Sequence, residues 1–264
     1  MLAVTTVAVV GCQPVAPPPG PPTGECTDPF VPAVVAELDR IGNGHHLTAA
    51  VFDDRSGCWY HYRRGQRVTT ASVVKVEIMA GVLHRAQAQG RGLTDRERTA
   101  ILPMMSASDD ATASSLWSSL GGEPGMERVG ATFGLTQTDE VAPVWGLSST
   151  TAEDQAGFVS RLVQGPGPLD DRWRGVAWFF LRTVRPDQRW GVGAGVPADW
   201  QVGLKNGFAG SRCCGWRVNS VGYVADPRGG GYSIAVLSDG WPSQAAGVPI
   251  VEAVAASVST VLAR

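Results

Sequence analysis

The chain has 264 residues, of which 44% are hydrophobic and 17% charged, and its formal net charge is -2. This composition predicts a folded protein with a substantial core rather than a disordered chain. The nearly balanced charge, with no basic block, argues against a nucleic-acid partner. No apolar run reaches the length expected of a membrane-spanning helix, and no Cys or His spacing indicates a metal site. We therefore expect neither a metal nor a cofactor.

The N-terminus predicts export rather than folded structure. Residues 1–12 form a short apolar segment that ends in small residues and Cys12, and residues 13–24 contain six prolines. The segment resembles the apolar region and lipobox of a bacterial lipoprotein signal, although the usual basic start is missing. We assign 1–12 to a signal and 13–27 to a stiff tether. An acylated Cys12 would hold the protein at the outer face of the plasma membrane, and without acylation the protein would be secreted.

Four further cysteines are available for disulfides in an exported protein. They are Cys26, Cys58, Cys213 and Cys214, and four cysteines allow three pairings. A bond between the adjacent Cys213 and Cys214 would require a strained ring. Among the possible pairs, Cys26–Cys58 is the first to test.

The folded domain, assigned to 28–264, begins with a helix followed by a hairpin. Asp28 and Pro29 are typical of an N-cap and a first helical residue, and the apolar stripe ends at Gly42. Two strands follow around a polar turn, at Leu47–Phe52 and Cys58–Tyr62. A mostly apolar helix then carries Ser72 and runs to about residue 89, where it is expected to be buried on most sides.

The middle of the chain is predicted to be helical and its end to return to strands. Thr94 and Glu97 are typical of a capping box. Residues 106–110 interrupt the helical pattern and are predicted to cap a further helix that carries Ala113 and Leu116. Residues 138–149 lack periodicity and are predicted to be a loop. Further helices are predicted near 124–133, 151–163 and 169–184, strands at 201–208, 217–225 and 232–238, and a final helix at 247–262.

This order of elements predicts the fold class. Strands near both chain ends must meet in one sheet, since the connections between them are mainly helical. We expect an α+β fold with a five-stranded antiparallel sheet flanked by helices and an inserted all-helical lobe.

Ser72 and Lys75 form a Ser-x-x-Lys sequence whose spacing suits nucleophilic catalysis. Residues three apart on a helix share one face, so the amine would lie beside the hydroxyl. A serine nucleophile needs a base within hydrogen-bond reach, and lysine can serve once its pKa is lowered. Lys75 and Lys205 are the only lysines among 22 Lys and Arg residues. The non-catalytic alternative is an ordinary solvated helix turn, since this short pattern is common.

Three short motifs occur in order, and together they resemble a known superfamily. They are Ser72-Val-Val-Lys75, Ser108-Asp109-Asp110 and Lys205-Asn206-Gly207. The set is similar to Ser-x-x-Lys, Ser-Asp-Asn and Lys-Thr-Gly of the serine β-lactamases and penicillin-binding proteins. The chain most resembles the class A β-lactamase catalytic domain, over most of residues 28–264.

The resemblance implies roles for the matching residues. Ser72 would be the nucleophile, and Lys75 would take its proton. Ser108 would pass a proton to the leaving nitrogen, and Lys205 would supply positive charge to a substrate carboxylate. The backbone N–H groups of Ser72 and Phe208 would form the oxyanion hole, with Asp110, Asn206 and Gly207 completing the substrate-binding positions.

Three departures from the family pattern bear on function. Asp110 stands where the family usually has Asn, so substrate binding is expected to weaken unless Asp110 is protonated or paired with an arginine. Asn206 replaces Thr or Ser, but its amide N–H groups could still reach a carboxylate. The Glu-x-x-Leu-Asn loop that activates the hydrolytic water is missing. Glu140 and Glu153 are the only nearby glutamates, and neither has the motif around it.

These features favour an exported serine hydrolase that acylates on Ser72 and hydrolyses β-lactams slowly. Two alternatives remain open at this point. One is a peptidase that acts on D-Ala-D-Ala stems of peptidoglycan with the same acylation residues. The other is a non-catalytic lipoprotein that binds penicillin or peptidoglycan. In each case we expect a monomer that contacts the membrane only through a lipid on Cys12.

Overall fold

The computed structural model describes residues 24–264 of the chain. Within them, strands lie near both ends of the chain and helices dominate the middle. The helices are α1 (Pro32–Gly42), α2 (Lys75–Ala88), α3 (Asp95–Ser106), α4 (Asp110–Leu120), α5 (Gly122–Phe133), α6 (Ala152–Val163), α7 (Asp171–Arg182) and α8 (Gln244–Leu262). The strands are β1 (His46–Asp53), β2 (Cys58–Tyr62), β3 (Arg67–Thr69), β4 (Ser149–Thr151), β5 (Gln201–Ser211), β6 (Gly215–Ala225) and β7 (Gly231–Asp239).

Five strands from both ends of the chain form one antiparallel sheet in the order β2-β1-β7-β6-β5. Ala50 at the centre of β1 faces His61 of β2 and Ala235 of β7. The predicted α+β fold is therefore confirmed, including the meeting of N- and C-terminal strands and the helical lobe between them.

The sheet separates two apolar cores because successive side chains of a strand point to opposite faces. Ala49 and Val51 of β1 pack into a core with α1 and α8. Ala50, between them, packs into the larger core formed mainly by the helical lobe. The middle helix α2 lies inside that second core, and eight of its consecutive residues from Val76 to Leu83 are fully buried. The sheet and α2 thus provide a rigid base for residues at the boundary between the two layers.

Several boundaries differ from the sequence prediction. Helix α1 begins at Pro32, not at Pro29, because Asp28 accepts a hydrogen bond from the N–H of Phe30 and forms a turn of its own. Ser72 lies in a separate 3₁₀ turn, Ala71–Val74, that leads into α2. The prediction also missed the short β3–β4 ribbon, whose three-residue strands are too brief for an alternating pattern.

The expectation that no apolar segment has the length of a membrane span is wrong for α8. This helix has 19 residues, and an 18-residue window within it has a mean hydropathy of 1.7, which meets the length and composition of a span. Its residues Val251, Val254, Ala255 and Val258 are fully buried against the sheet. Helix α8 is therefore a core helix, and its apolar character follows from that packing.

Two disulfides are present, and one connects the start of the described chain to the sheet. Cys26 is bonded to Cys58 of β2, the pair favoured from the sequence, and Cys213 is bonded to Cys214 in the exposed β5–β6 turn. Thr27 also donates its backbone N–H to the Tyr60 hydroxyl at 3.0 Å. Cys26 and Thr27 are thus attached to the domain. The predicted signal, Cys12 and most of the predicted tether lie outside the described residues.

Candidate active site

The turn that carries Ser72 is held by contacts from two strands. Ala71 has φ +47°, a conformation that is rare for residues other than glycine and is often found at functional sites. The side-chain amide of Asn219 on β6 donates to the carbonyls of Thr69 (2.9 Å) and Thr70 (3.1 Å). On β5, a Cβ at Gly207 would lie 2.8 Å from the Ser72 nitrogen. Gly207 therefore permits the close approach of β5 to this turn.

Lys75 points into the space between this turn and the loop before α4. Its Nζ lies 3.0 Å from Ser72 Oγ, 3.0 Å from Ser108 Oγ and 2.6 Å from the Ser108 carbonyl oxygen. The side chain is fully buried. Burial lowers the pKa of Lys75, although the hydrogen bond and charge of Asp110 oppose this effect. Lys75 is thus placed to exchange a proton with Ser72.

Ser108 is presented by the N-terminus of α4. It has φ +60°, so its carbonyl and hydroxyl oxygens both reach Lys75. The next residue, Asp109, caps α4 by accepting from the Thr112 N–H at 2.7 Å. The cap predicted from the sequence is confirmed. It fixes the backbone immediately after Ser108.

Lys205 of β5 reaches the same serine from the opposite side. Its Nζ lies 2.9 Å from Ser108 Oγ and 2.7 Å from the carbonyl oxygen of Asn206. Burial, reinforced by the charge of Lys75, lowers the pKa of Lys205 to about 7, and Asp110 opposes the shift. Two buried ammonium groups around one hydroxyl repel each other. We therefore expect at least one of the two lysines to be neutral near neutral pH.

Asp110 has an ion-pair partner, but this partner is not an arginine. Asp110 Oδ1 lies 2.5 Å from Lys75 Nζ, while the Asp110 side chain is 77% exposed. The sequence left open protonation or pairing with arginine, and the structure instead pairs Asp110 with the buried lysine. The exposed carboxylate therefore stands at the mouth of the site and adds negative charge beside the lysines.

Asn206 is turned toward the protein interior. Its amide nitrogen donates to the carbonyls of Gln188 (2.8 Å) and Trp190 (2.9 Å), and the residue is 1% exposed. Both N–H groups are thus engaged by the segment before β5. Contrary to the expectation from the sequence, they are not free for a substrate carboxylate. Phe208, two residues later, is half-buried with its ring 6.2 Å from that of Trp190.

Neither nearby glutamate lies at the nucleophile. The Glu140 carboxyl group accepts from Ser148 Oγ at 2.8 Å, and Glu153 accepts from the Gly65 N–H at 3.0 Å. Within residues 24–264, no hydrogen bond joins either glutamate to Ser72 or Lys75. The loop at 138–149 thus contributes no carboxylate in contact with the nucleophile.

Two residues at the site were not singled out from the sequence. The Trp145 ring lies 5.0 Å from Lys75 Nζ, and its Nε1–H donates to Ser114 Oγ on α4 at 3.1 Å. Asn219 holds the backbone before Ser72, as described above. A polar amide in an apolar strand is a weak signal for Asn219, whereas nothing in the aperiodic loop distinguishes Trp145.

Comparison with protein families gives a match over more than half of the chain. The profile described as "Beta-lactamase enzyme family" matches residues 98–262. The matched region contains Ser108 and Lys205 and begins after Ser72 and Lys75.

The chain also resembles mycobacterial proteins named "Putative lipoprotein LppW". The proteins from Mycobacterium bovis (strain ATCC BAA-935 / AF2122/97) and Mycobacterium tuberculosis (strain ATCC 25618 / H37Rv) are each 29% identical over 196 residues. The alignment covers 70% of this chain and 61% of each relative. The chain therefore matches less than two thirds of the length of these curated relatives.

Solved structures show the same fold at low sequence identity. A beta lactamase from Xanthomonas campestris aligns with a TM-score of 0.73 at 23% identity, covering 86% of this chain and 95% of that one. A class A beta-lactamase from Mycobacterium abscessus aligns with a TM-score of 0.73 at 22% identity, covering 86% and 98%. With the family match and the juxtaposition of the three motifs, these alignments lead to one conclusion. The chain belongs to the beta-lactamase enzyme family.

Proposed function

We propose that the protein is an exported serine hydrolase that forms an acyl-enzyme on Ser72 and hydrolyses β-lactam amides slowly. The observation that carries the proposal is the continuous set of hydrogen bonds from Ser72 through Lys75 and Ser108 to Lys205. It joins a hydroxyl, two amines and a second hydroxyl within one partly buried cluster. Such an arrangement suits nucleophilic catalysis with proton relay.

In the proposed acylation, Ser72 Oγ bonds to the carbonyl carbon of the β-lactam while its proton passes to neutral Lys75 Nζ. The oxyanion accepts hydrogen bonds from the backbone N–H groups of Ser72 and Phe208. Collapse of the tetrahedral intermediate breaks the C–N bond. Ser108 Oγ then donates a proton to the leaving nitrogen and regains one from Lys75. Lys205 supplies positive charge to the substrate carboxylate.

We propose slow deacylation because the two candidate glutamates are engaged elsewhere. Glu140 is bound to Ser148, and Glu153 is bound to the Gly65 backbone. General-base assistance contributes roughly 10²–10⁴-fold to a rate. Without it, the acyl-enzyme is expected to persist. The same observation favours a second candidate, a D-Ala-D-Ala peptidase that uses the acylation residues on peptidoglycan stem peptides.

We also propose that the protein is held at the cell envelope through Cys12. The lipobox-like sequence before Cys12 supports this proposal, and so does the name of the mycobacterial relatives. The Cys26–Cys58 disulfide is consistent with an oxidising compartment.

Intact-mass spectrometry after incubation with a penicillin tests the acylation step. We expect the wild type to gain one penicillin mass, to lose it slowly, and to turn over nitrocefin. Ser72→Ala removes the nucleophile and should abolish both the adduct and turnover. Release of D-Ala from a stem peptide by the wild type alone would favour the peptidase.

The matched control is Ser257→Ala, which removes a hydroxyl on α8 that donates to the Ala253 carbonyl of the same helix. This variant should still be acylated. Turnover that survives in Ser72→Ala would rule out the proposed function. A folded wild type that gains no penicillin mass, releases no D-Ala and yet binds muropeptides would replace it with a binding function.

A further inference from the structure

Glu77 and Glu140 bring two carboxyl groups together in a buried site behind the nucleophile. Glu77 lies on α2 two residues after Lys75 and is fully buried, and Glu140 lies in the loop 138–149 and is 9% exposed. Each carboxyl group has one oxygen with a partner outside the pair. Gln155 Nε2 donates to Glu77 Oε1 at 2.8 Å, and Ser148 Oγ donates to Glu140 Oε2 at 2.8 Å.

The remaining oxygens, Glu77 Oε2 and Glu140 Oε1, are buried without a partner outside the pair. Each side chain acts on the pKa of the other through a hydrogen bond, so the two carboxyl groups lie within hydrogen-bond reach of each other. Two carboxylates cannot form such a bond, because both offer only acceptors. One proton between the carboxyl groups satisfies both orphan oxygens at once. A buried polar atom without a partner would otherwise destabilise the fold.

The surroundings of the pair favour protonation. Burial raises the pKa of Glu77 well above its usual value, with further contributions from Glu140 and Asp154. Burial also raises the pKa of Glu140, and the acidic side chains of Glu123 and Glu127 on α5 add to the effect. No Lys, Arg or His in the described part of the chain forms a salt bridge with either member.

Glu140 is the buried anchor of a loop that reaches the active site. Next to Glu140, Asp139 is held by backbone hydrogen bonds of 2.8 and 3.0 Å to Ser149 and by an exposed ion pair with Arg67. Further along, Trp145 lies over Lys75 Nζ at 5.0 Å. The loop thus connects the carboxyl pair directly to the aromatic ring that covers the lysine.

We propose that Glu77 and Glu140 share a single proton, and that this carboxyl–carboxyl hydrogen bond positions the loop 138–149 so that Trp145 covers Lys75. Loss of the proton leaves two carboxylates in contact in a buried site. Their repulsion and desolvation favour release of the loop. The two glutamates are therefore positioning residues that act through Trp145, and nothing in the proposed function assigns them this task.

Hydrogen exchange across pH tests the inference without any substrate. We call the loop closed when Glu140 is packed against Glu77 and open when it is released. The pKa values of the pair are raised in the closed state, so closing the loop binds a proton that opening releases. The closed state is therefore fully favoured below about pH 4.5 and loses stability as pH rises above it. As pH rises above about 4.5 we expect protection of residues 138–149 to fall, by at most roughly tenfold per pH unit, until the pair has lost its proton, after correction for intrinsic exchange.

Glu140→Gln and Glu77→Gln provide a direct comparison. Glutamine keeps an oxygen for the outer partner and does not titrate, but each single variant leaves one buried carboxyl group, so protection should show a smaller fall with pH than in the wild type. In the double variant Glu77→Gln/Glu140→Gln no carboxyl group of the pair remains, and protection should be independent of pH. Glu153→Gln is the matched control, because Glu153 is also 9% exposed but lies at Gly65 outside the pair. It should follow the wild type.

Protection that stays constant with pH in the wild type would overturn the inference, and this measurement does not depend on any variant folding. The same fall in the double glutamine variant would also overturn it. The experiment is repeated on Ser72→Ala, which cannot be acylated. Failure of the proposed hydrolase function therefore leaves the exchange result unaffected.

Discussion

Ser108 shows how one residue depends on a rare backbone conformation. Its φ of +60° directs both of its oxygens toward Lys75, and its hydroxyl also receives Lys205 at 2.9 Å. The Ser-x-x-Lys spacing predicted the contact between Ser72 and Lys75. The contact between Ser108 and Lys205, which are 97 residues apart, depends on the tertiary structure.

Asp110 has a different charged partner from the one expected from the sequence, a lysine rather than an arginine. It pairs with Lys75 and opposes the effect of burial on that lysine. An exposed carboxylate beside a base therefore holds part of the lysine population in the protonated form.

We predict that Asp110→Asn shifts the pH dependence of penicillin acylation. Removing the carboxylate lowers the pKa of Lys75 further, because the charge that opposes the effect of burial is gone. More Lys75 is then neutral at pH 7, so the acid limb of the acylation rate moves to lower pH and the rate at pH 6–7 rises. Acylation rates from pH 5 to 9 measure the shift.

Asp95→Asn is the charge-matched control for this shift, since Asp95 pairs with Arg98 on the exposed face of α3. It should leave the profile in place. An acid limb that moves to higher pH in Asp110→Asn would contradict the assignment of Lys75 as the proton acceptor.

Helix α4 illustrates the link between local capping and the site. Its cap, Asp109, accepts both the N–H and the hydroxyl of Thr112, each at 2.7 Å. Helix α3 has a comparable cap at Thr94, which forms the reciprocal capping box with Glu97. Both caps were predicted from sequence because they depend on residues three apart. One of them directly follows Ser108, and the other does not contact the site.

We predict that Asp109→Ala affects both stability and acylation. Loss of the cap lowers the free energy of unfolding by about 1 kcal/mol. It also loosens the backbone that orients Ser108, and a displacement of ~1 Å can cost ~10²-fold in rate. Chemical denaturation and the rate of penicillin adduct formation measure the two effects.

Thr94→Ala separates those effects, because it removes a cap of similar strength away from the nucleophile. It should lower stability by a similar amount, about 1 kcal/mol, and keep the acylation rate. Equal acylation rates in the two variants would show that the α4 cap has no influence on Ser108.

At the scale of the whole molecule, the sheet joins residues that are distant in sequence. Strand β1 pairs with β7, so the start of the domain is held by its end. The Cys26–Cys58 disulfide adds a second constraint on the first helix, because it closes a segment with a sequence separation of 32 around α1 and β1.

We predict that the double variant Cys26→Ser/Cys58→Ser is less stable by about 3 kcal/mol, since the disulfide restricts the unfolded chain. Its acylation rate should be retained, because neither cysteine contacts the site. Urea denaturation under oxidising conditions measures the loss. The double variant Cys213→Ser/Cys214→Ser is the control: its adjacent residues close almost no chain, so a far smaller change is expected. Equal losses would contradict this account.

The sequence by itself determined the fold class, most helix and strand positions and the three motifs. These features depend on short-range patterns such as apolar periodicity, caps and residue spacing. Only the tertiary structure decided how Asp110 is paired, where the Asn206 amide points and which groups cover Lys75. Contacts of Trp145, Glu140 and Glu77 join a loop to a buried helix. Such contacts depend on packing between distant segments, and that packing leaves no periodic signal in the chain.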